Sequence, residues 1–262
     1  MWMTFMLLTR KQIGNQPLDG LILTGAPVET VRFEDVHYWN EISAILKDAR
    51  QTIPSTLGLC WAGFVMAYLE GVNKFNYDQK LFGVFELKNL APAHPIVGEL
   101  DDIFFCPQSR HAGIPDEAME EAANDGRLKL LAYGKEAGYS IFQPPMTVSL
   151  RIRGIQNTTL PDWRMKQSET TVIYSIFSTS DDRFIAHTGH PEYNATRLAD
   201  EAKRDHGNPD VPPPVNFDFM EPLNRWRSHR NTFFTQWVSY CYLKISTHDM
   251  SVKKDFMDSP TD

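Results

Sequence analysis

The chain has 262 residues, 42% of them hydrophobic and 12% aromatic, enough apolar side chain for a substantial core. A formal net charge of −7, without any basic run, argues against nucleic acid or an anionic membrane surface as a partner, since both are held through clustered Lys and Arg. Cys60, Cys106 and Cys241 form no C-x-x-C pair or framework, which argues against structural zinc and fits a reducing compartment. No apolar run reaches the ~18 residues of a membrane span, and "MWMTFMLLTRKQ" lacks the leading positive charge of a secretion signal, so a cytoplasmic protein is expected.

In chain order, "LDGLILTGAP" (18–27) reads as a short buried parallel strand that opens into a loop at its carboxyl end. In "YWNEISAILKDAR" (38–50), Trp39, Ile42, Ile45 and Leu46 share one helical face. "STLGLC" (55–60) is the next strand and "AGFVMAYLEGV" (62–72) the next helix, stopping near Gly71. This alternation predicts βαβ pairing and an α/β sheet covered on both faces. "KLFGVFELKN" and "ELDDIFFCPQSR" carry extended apolar segments, "PDEAMEEAAND" is an acidic helix, and "RLKLLAYGKEAGYSIF" is a strand pair around Gly134. "RFIAHTGHPEY" is a strand running into a Gly-His-Pro turn, and "NATRLADEAKRDH" is helical. "GNPDVPPPVNF" is too rich in proline for a regular element. "SHRNTFFTQWVSYCYLKI" closes the chain as a helix whose Phe233, Phe234, Trp237 and Tyr240 face the core, with Cys241 beside them.

Cys60 falls at a strand-to-helix turn. There a helix amino terminus presents N–H groups and a positive dipole that favour a thiolate. Gly58, Ala62 and Gly63 leave the sharp turn open to close approach, the logic of a nucleophile elbow. A thiol nucleophile needs a base and a group to orient that base. "HTGHPEY" supplies both, because His190 and Glu192 lie two apart across a proline that sets the turn. A metal reading of His187, His190 and Glu192 is weaker, because the helical two-His spacing is missing. Cys60, His190 and Glu192 therefore make a Cys-His-Glu triad in which Glu192 holds the imidazolium.

"GLILTGAPVETVRFEDVHYWNEI", "LGLCWA", "KLFGVFE", "PQSRH", "TGHPEY" and "WRSHRNTFFTQW" resemble, in order, the motifs of the homoserine O-acyltransferase family, from about Leu18 to Ile245. A class I glutaminase usually reads G-x-C-x-G-x-Q at its elbow, where this chain has Gly58, Cys60, Ala62 and Phe64. The resemblance implies a three-layer open, mostly parallel sheet with helices on both faces, similar to class I glutamine amidotransferases. It implies that Cys60 takes an acyl group from acyl-CoA as a thioester, with His190 as base and Glu192 as its partner, before the hydroxyl of L-homoserine attacks. The backbone N–H groups of Trp61 and of the Gly25–Val28 loop are the natural oxyanion donors. Lys80, Ser109 and Arg204 match substrate-binding positions, with Arg204 suited to clamp a carboxylate. At Glu29, family members that use succinyl-CoA carry Gly, and members with Glu resemble acetyl-CoA users. A carboxylate there repels and displaces a second carboxylate, so acetyl-CoA is the expected co-substrate, with no cofactor or metal.

The succinyl enzyme and a serine O-acetyltransferase are the neighbouring readings. A truncated, non-catalytic homologue is the reading from another class. A single domain over 1–262 is expected, and a homodimer is compatible with it. Only 17 residues precede Leu18, where the family carries several tens, so the sheet should be shortened at its N-terminal side with an unpaired edge. "YSIF" occurs at Tyr139–Phe142 and again at Tyr174–Phe177, which marks about 143–174 as an insertion with a poorly ordered middle.

Overall fold

A computed structural model describes residues 18–144 and 183–257, with side chains described as far as Lys244. The expected insertion lies almost wholly outside these residues, as does the segment before Leu18. The described chain forms a seven-stranded sheet of β1 (Leu21–Leu23), β2 (Thr56–Leu59), β3 (Phe75–Asn89), β4 (Ile103–Gly113), β5 (Lys129–Gly134), β6 (Gly138–Gln143) and β7 (Phe184–His187). Their spatial order is β1-β2-β7-β6-β5-β3-β4. The helices are α1 (Trp39–Thr52), α2 (Trp61–Leu69), α3 (Asp116–Asn124), α4 (Ala195–Asp205) and α5 (Arg227–Met257).

The α/β class holds, but the sheet is mixed rather than mostly parallel. Parallel pairing joins β1 to β2 and β2 to β7, and every other pairing is antiparallel. The connections explain the difference. A parallel pair needs a crossover such as α1, whereas β5 and β6 are joined by a tight turn that ends at Gly138, φ +65°. β1 lies at the edge of the described sheet, and its Ile22 is 41% exposed. α5 starts where the apolar spacing places it but runs on to Met257.

Alternate residues of the short central strands feed two cores. Phe184 and Ala186 of β7 join Leu46 and Ala49 of α1, Phe64 and Val65 of α2, and Met119 and Ala122 of α3 on one face. Leu57 and Leu59 of β2 and Ile185 of β7 meet Phe233 and Trp237 of α5 on the other. A third cluster seats Leu198 and Ala202 of α4 against Phe82 and Val84 of β3, with Trp226. The proline-rich segment is not structureless. Val215 donates to Phe82 O and accepts from Val84 N, both at 2.9 Å, and so covers the edge that β3 leaves open. Gly83 is required there, since a Cβ would fall 2.2 Å from Val215 O.

α2 is apolar all round because it is buried all round, from Trp61 through Ala67. Two glycines let it dock. A Cβ at Gly58 would lie 2.9 Å from Met66, and one at Gly63 would lie 3.3 Å from the His187 backbone. The start of α2 is therefore pressed against the end of β7, where the His190 turn begins.

Candidate active site

Cys60 is the residue between β2 and α2, and its backbone has φ +53° and ψ −116°. A non-glycine side chain at positive φ is strained, and the surroundings hold it there. Cys60 N–H donates to His187 O at 2.8 Å, while Cys60 O accepts from Gly63 N at 2.9 Å. The thiol is thereby fixed at the mouth of the helix, 6% exposed.

β7 delivers the imidazole. After His187 the chain turns, and His190 N–H donates to Pro107 O at 2.9 Å, anchoring the turn to β4. Glu192 Oε1 lies 2.7 Å from His190 Nδ1, and Tyr193 stacks on the ring at 4.2 Å with its plane 24° away. Burial alone would lower the His190 pKa. The charge and hydrogen bond of Cys60, followed by those of Glu192, outweigh burial and raise it to about 10. The sulfur and the ring meet over Gly25, where an added Cβ would stand 3.2 Å from Cys60 Sγ and 3.7 Å from His190 Cε1. This is the arrangement of a thiol beside an imidazole that a carboxylate orients.

His187 serves the turn from behind. Gly189 N–H donates to its Nδ1 at 3.0 Å, which places the ring proton on Nε2, facing Cys106 Sγ at 3.7 Å. Burial, with the nearby charges of His190 and Arg110, pushes its pKa down to about 3, so His187 is neutral. Burial pushes the Cys106 thiol well up, which makes it an inert packing group.

Of the expected oxyanion donors, the Trp61 N–H has no hydrogen-bond partner among the described residues. The Val28 N–H does, because it donates to Ala26 O at 2.8 Å across a tight turn. That expectation needs correction, since Val28 is a donor only when the turn opens. The family resemblance implied that the Gly25–Val28 loop reaches the elbow, but not where its amides point.

Lys80, Ser109 and Arg204 come together, and they do so on carboxylates that sequence reading missed. Ser109 Oγ donates to Glu201 Oε2 at 2.6 Å, and Tyr193 OH donates to Glu201 Oε1 at 2.8 Å. Lys80 Nζ lies 3.0 Å from Asp205 Oδ2 and 3.9 Å from Glu201 Oε2, with the ring of Phe82 4.3 Å below it. Arg204 grips Asp205 through Nε at 2.5 Å and a terminal nitrogen at 2.7 Å, holding that carboxyl well below its usual range, with Lys80 adding to the effect. Tyr193 links this cluster to the His190 ring. Glu201 is 5% exposed, and it left a signal in the sequence. It falls between Leu198, Ala199 and Ala202 on the apolar stripe of α4, where an acid must find partners.

Glu29 is half-buried in the loop after β1. Arg110, of the "PQSRH" motif, is 2% exposed and donates to Gln108, Tyr77, Ala112 O and Ala137 O. It ties β4 to the β5–β6 turn, a role without a local sequence signal. No helix among the described residues is long and apolar enough to cross a membrane.

A model of the homoserine O-succinyltransferase family matches residues 2–155 and 151–247. The homoserine O-acetyltransferase of Lachnoclostridium phytofermentans is 32% identical over 250 residues, covering 93% of this chain and 70% of that protein. The homoserine O-succinyltransferase of Photorhabdus laumondii is also 32% identical, over 255 residues, covering 95% of this chain and 70% of that one. In fold, a glutamine amidotransferase from Thermotoga maritima superposes with a TM-score of 0.51 at 14% identity, over 88% of this chain and 80% of that one. The chain belongs to the homoserine O-succinyltransferase family of acyltransferases.

Proposed function

We propose that this protein is a homoserine O-acetyltransferase that carries the acetyl group on Cys60, with 1–262 acting as one catalytic unit. The observation that carries the reading is the Cys60–His190–Glu192 line at a strained strand-to-helix turn. The Cys60 thiolate attacks the thioester carbonyl of acetyl-CoA, and the tetrahedral oxyanion is received by the Trp61 N–H. A second donor comes from the Gly25–Val28 loop, once the Val28 N–H leaves Ala26 O. When the intermediate collapses, the imidazolium of His190 gives its proton to the departing CoA sulfur, and acetyl-Cys60 remains. His190, now neutral, takes the hydroxyl proton of homoserine as that oxygen attacks the acetyl carbonyl. A second oxyanion collapses, the ester leaves, and the thiolate–imidazolium pair is restored. Glu192 holds the ring throughout.

The acceptor's ammonium and carboxylate are matched by a cluster that offers both signs. Glu201 and Asp205 face Lys80 and Arg204, and Tyr193 leads from them to His190. Glu29 supports acetyl over succinyl, because a carboxylate in the acyl pocket opposes a second one. The test is intact-mass spectrometry after mixing with acetyl-CoA or succinyl-CoA in the absence of acceptor. An acetyl adduct that disappears in Cys60→Ala and is discharged by L-homoserine is the expected result. A succinyl adduct formed faster, or an adduct that survives Cys60→Ala, would overturn the reading.

A further inference from the structure

Tyr193 touches both halves of the site, and each of its polar groups is committed. Its backbone N–H donates to His190 O at 3.1 Å, and its carbonyl accepts from the Trp226 indole at 2.7 Å. Its ring stacks on the His190 imidazole at 4.2 Å, and the Arg197 guanidinium lies 5.6 Å from the ring centre. Its hydroxyl donates to Glu201 Oε1 at 2.8 Å. Burial and the Glu201 charge push the phenol pKa up, so the hydroxyl keeps its proton and stays the donor. Glu201 is also held by Arg197 at 3.1 Å, Ser109 at 2.6 Å and Lys80 at 3.9 Å. Of these four partners, Tyr193 is the one that stacks on the base. One rigid side chain thus fixes the plane of His190 at its face and a buried carboxylate at its tip.

We propose that Tyr193 is a positioning residue for the acceptor half-reaction, setting the span between the His190 ring and the Glu201 cluster so that an acceptor seated on the cluster brings its hydroxyl to the base. This role rests on the reading of that cluster as the acceptor's seat. Acylation by the CoA thioester uses Cys60 and His190 without Glu201, whereas discharge needs the base and the seat in register. An ångström of misplacement can cost as much as ~100-fold in rate. Tyr193 therefore bears on discharge more than on acylation. It also favours an amino-acid acceptor over water, which has no charged groups for the seat to hold.

Rapid-quench intact-mass spectrometry separates the half-reactions: formation of acetyl-Cys60 from acetyl-CoA, then its discharge by L-homoserine or by water. The proteins compared are the parent, Tyr193→Phe, Glu201→Gln and Glu201→Gln/Tyr193→Phe. Phenylalanine keeps the stack and removes only the hydroxyl. The ratio of homoserine discharge to acylation, in which a general loss cancels, should fall about tenfold or more in Tyr193→Phe with a rise in KM for homoserine, as for loss of a hydrogen bond to a charged group. Discharge by water should keep its ratio to acylation. Adding Tyr193→Phe to Glu201→Gln should change the homoserine ratio by less than about twofold, because a residue acting through Glu201 adds nothing once that carboxylate is gone. Thermal melts identify a variant that does not fold. If Tyr193→Phe is one, the double variant, in which no buried charge is left short of a donor, decides by comparison with Glu201→Gln. An unchanged ratio in folded Tyr193→Phe, an equal loss of water and homoserine discharge, or a further tenfold loss on adding Tyr193→Phe to Glu201→Gln overturns the proposal while acetyl transfer by the parent still stands. A parent that forms no Cys60 thioester, or a thioester that L-homoserine does not discharge, defeats the transferase reading and this proposal with it.

Discussion

Glu192→Gln isolates the charge that orients the base. Glutamine keeps the length of the side chain and can still accept from His190 Nδ1, so the change removes charge rather than shape. The carboxylate sits 2.7 Å from Nδ1 with its side chain 35% exposed. A hydrogen bond to a charged group contributes about 1.5–3 kcal/mol, and solvent at a carboxylate this open moves the value towards the lower end, about 1.5 kcal/mol. One pKa unit corresponds to ~1.4 kcal/mol, so His190 should titrate about one unit lower than its raised value near 10. The pH profile of kcat/KM for the acyl donor, measured alongside Cys60→Ala as a blank, should show its alkaline limb about one unit earlier, with a rate loss of about tenfold at neutral pH. Stability carries the same sign. A histidine raised from 6.5 stabilises the fold fully below 6.5, and that contribution fades as pH rises through about 10. In Glu192→Gln the fading should finish about one unit lower in thermal melts across this range. An alkaline limb that stays in place, in a folded variant, would refute the assignment of Glu192 as the partner of an imidazolium.

Gly25→Ala should lower kcat while sparing thermal stability to within about 1 kcal/mol, because the new methyl would stand 3.0 Å from Cys60 Cβ and 3.2 Å from its sulfur; a steady-state assay beside a melting curve checks the split. Arg110→Met should cost about 3 kcal/mol in urea unfolding. Among the described residues no carboxylate pairs with this buried guanidinium, so the loss comes from the Ala112 and Ala137 carbonyls and Tyr77 left without their donor.

The elements of this protein were legible where the chain's own periodicity decides them. Trp39, Ile42, Ile45 and Leu46 did form one face of α1, and Gly71 (φ +80°) follows the end of α2. The elbow and the His-Pro-Glu turn were legible too, because each is a local device, a strand end and a proline-set turn, that a few consecutive residues build. The direction of pairing across most of the sheet was not, since an apolar strand reads alike whether its neighbour runs with it or against it. β5 and β6 were legible as a pair around Gly134, but β3 and β4 were read only as extended segments, and it is their long ladder that makes them antiparallel.

By itself, the sequence singled out the residues on which the proposed chemistry is built: the thiol at a strand-to-helix turn, the imidazole and carboxylate two apart, and a charged side chain at residue 29. Only the tertiary structure decided what those groups face. Ser109 meets Glu201 across 92 positions and Lys80 meets Asp205 across 125, so groups far apart in the chain become partners inside the fold. The Val28 amide is turned onto Ala26. The physical reason is common to all of these. Reactivity at a site depends on burial and on the nearest opposite charge, and both are properties of contacts between distant segments that no local spacing encodes.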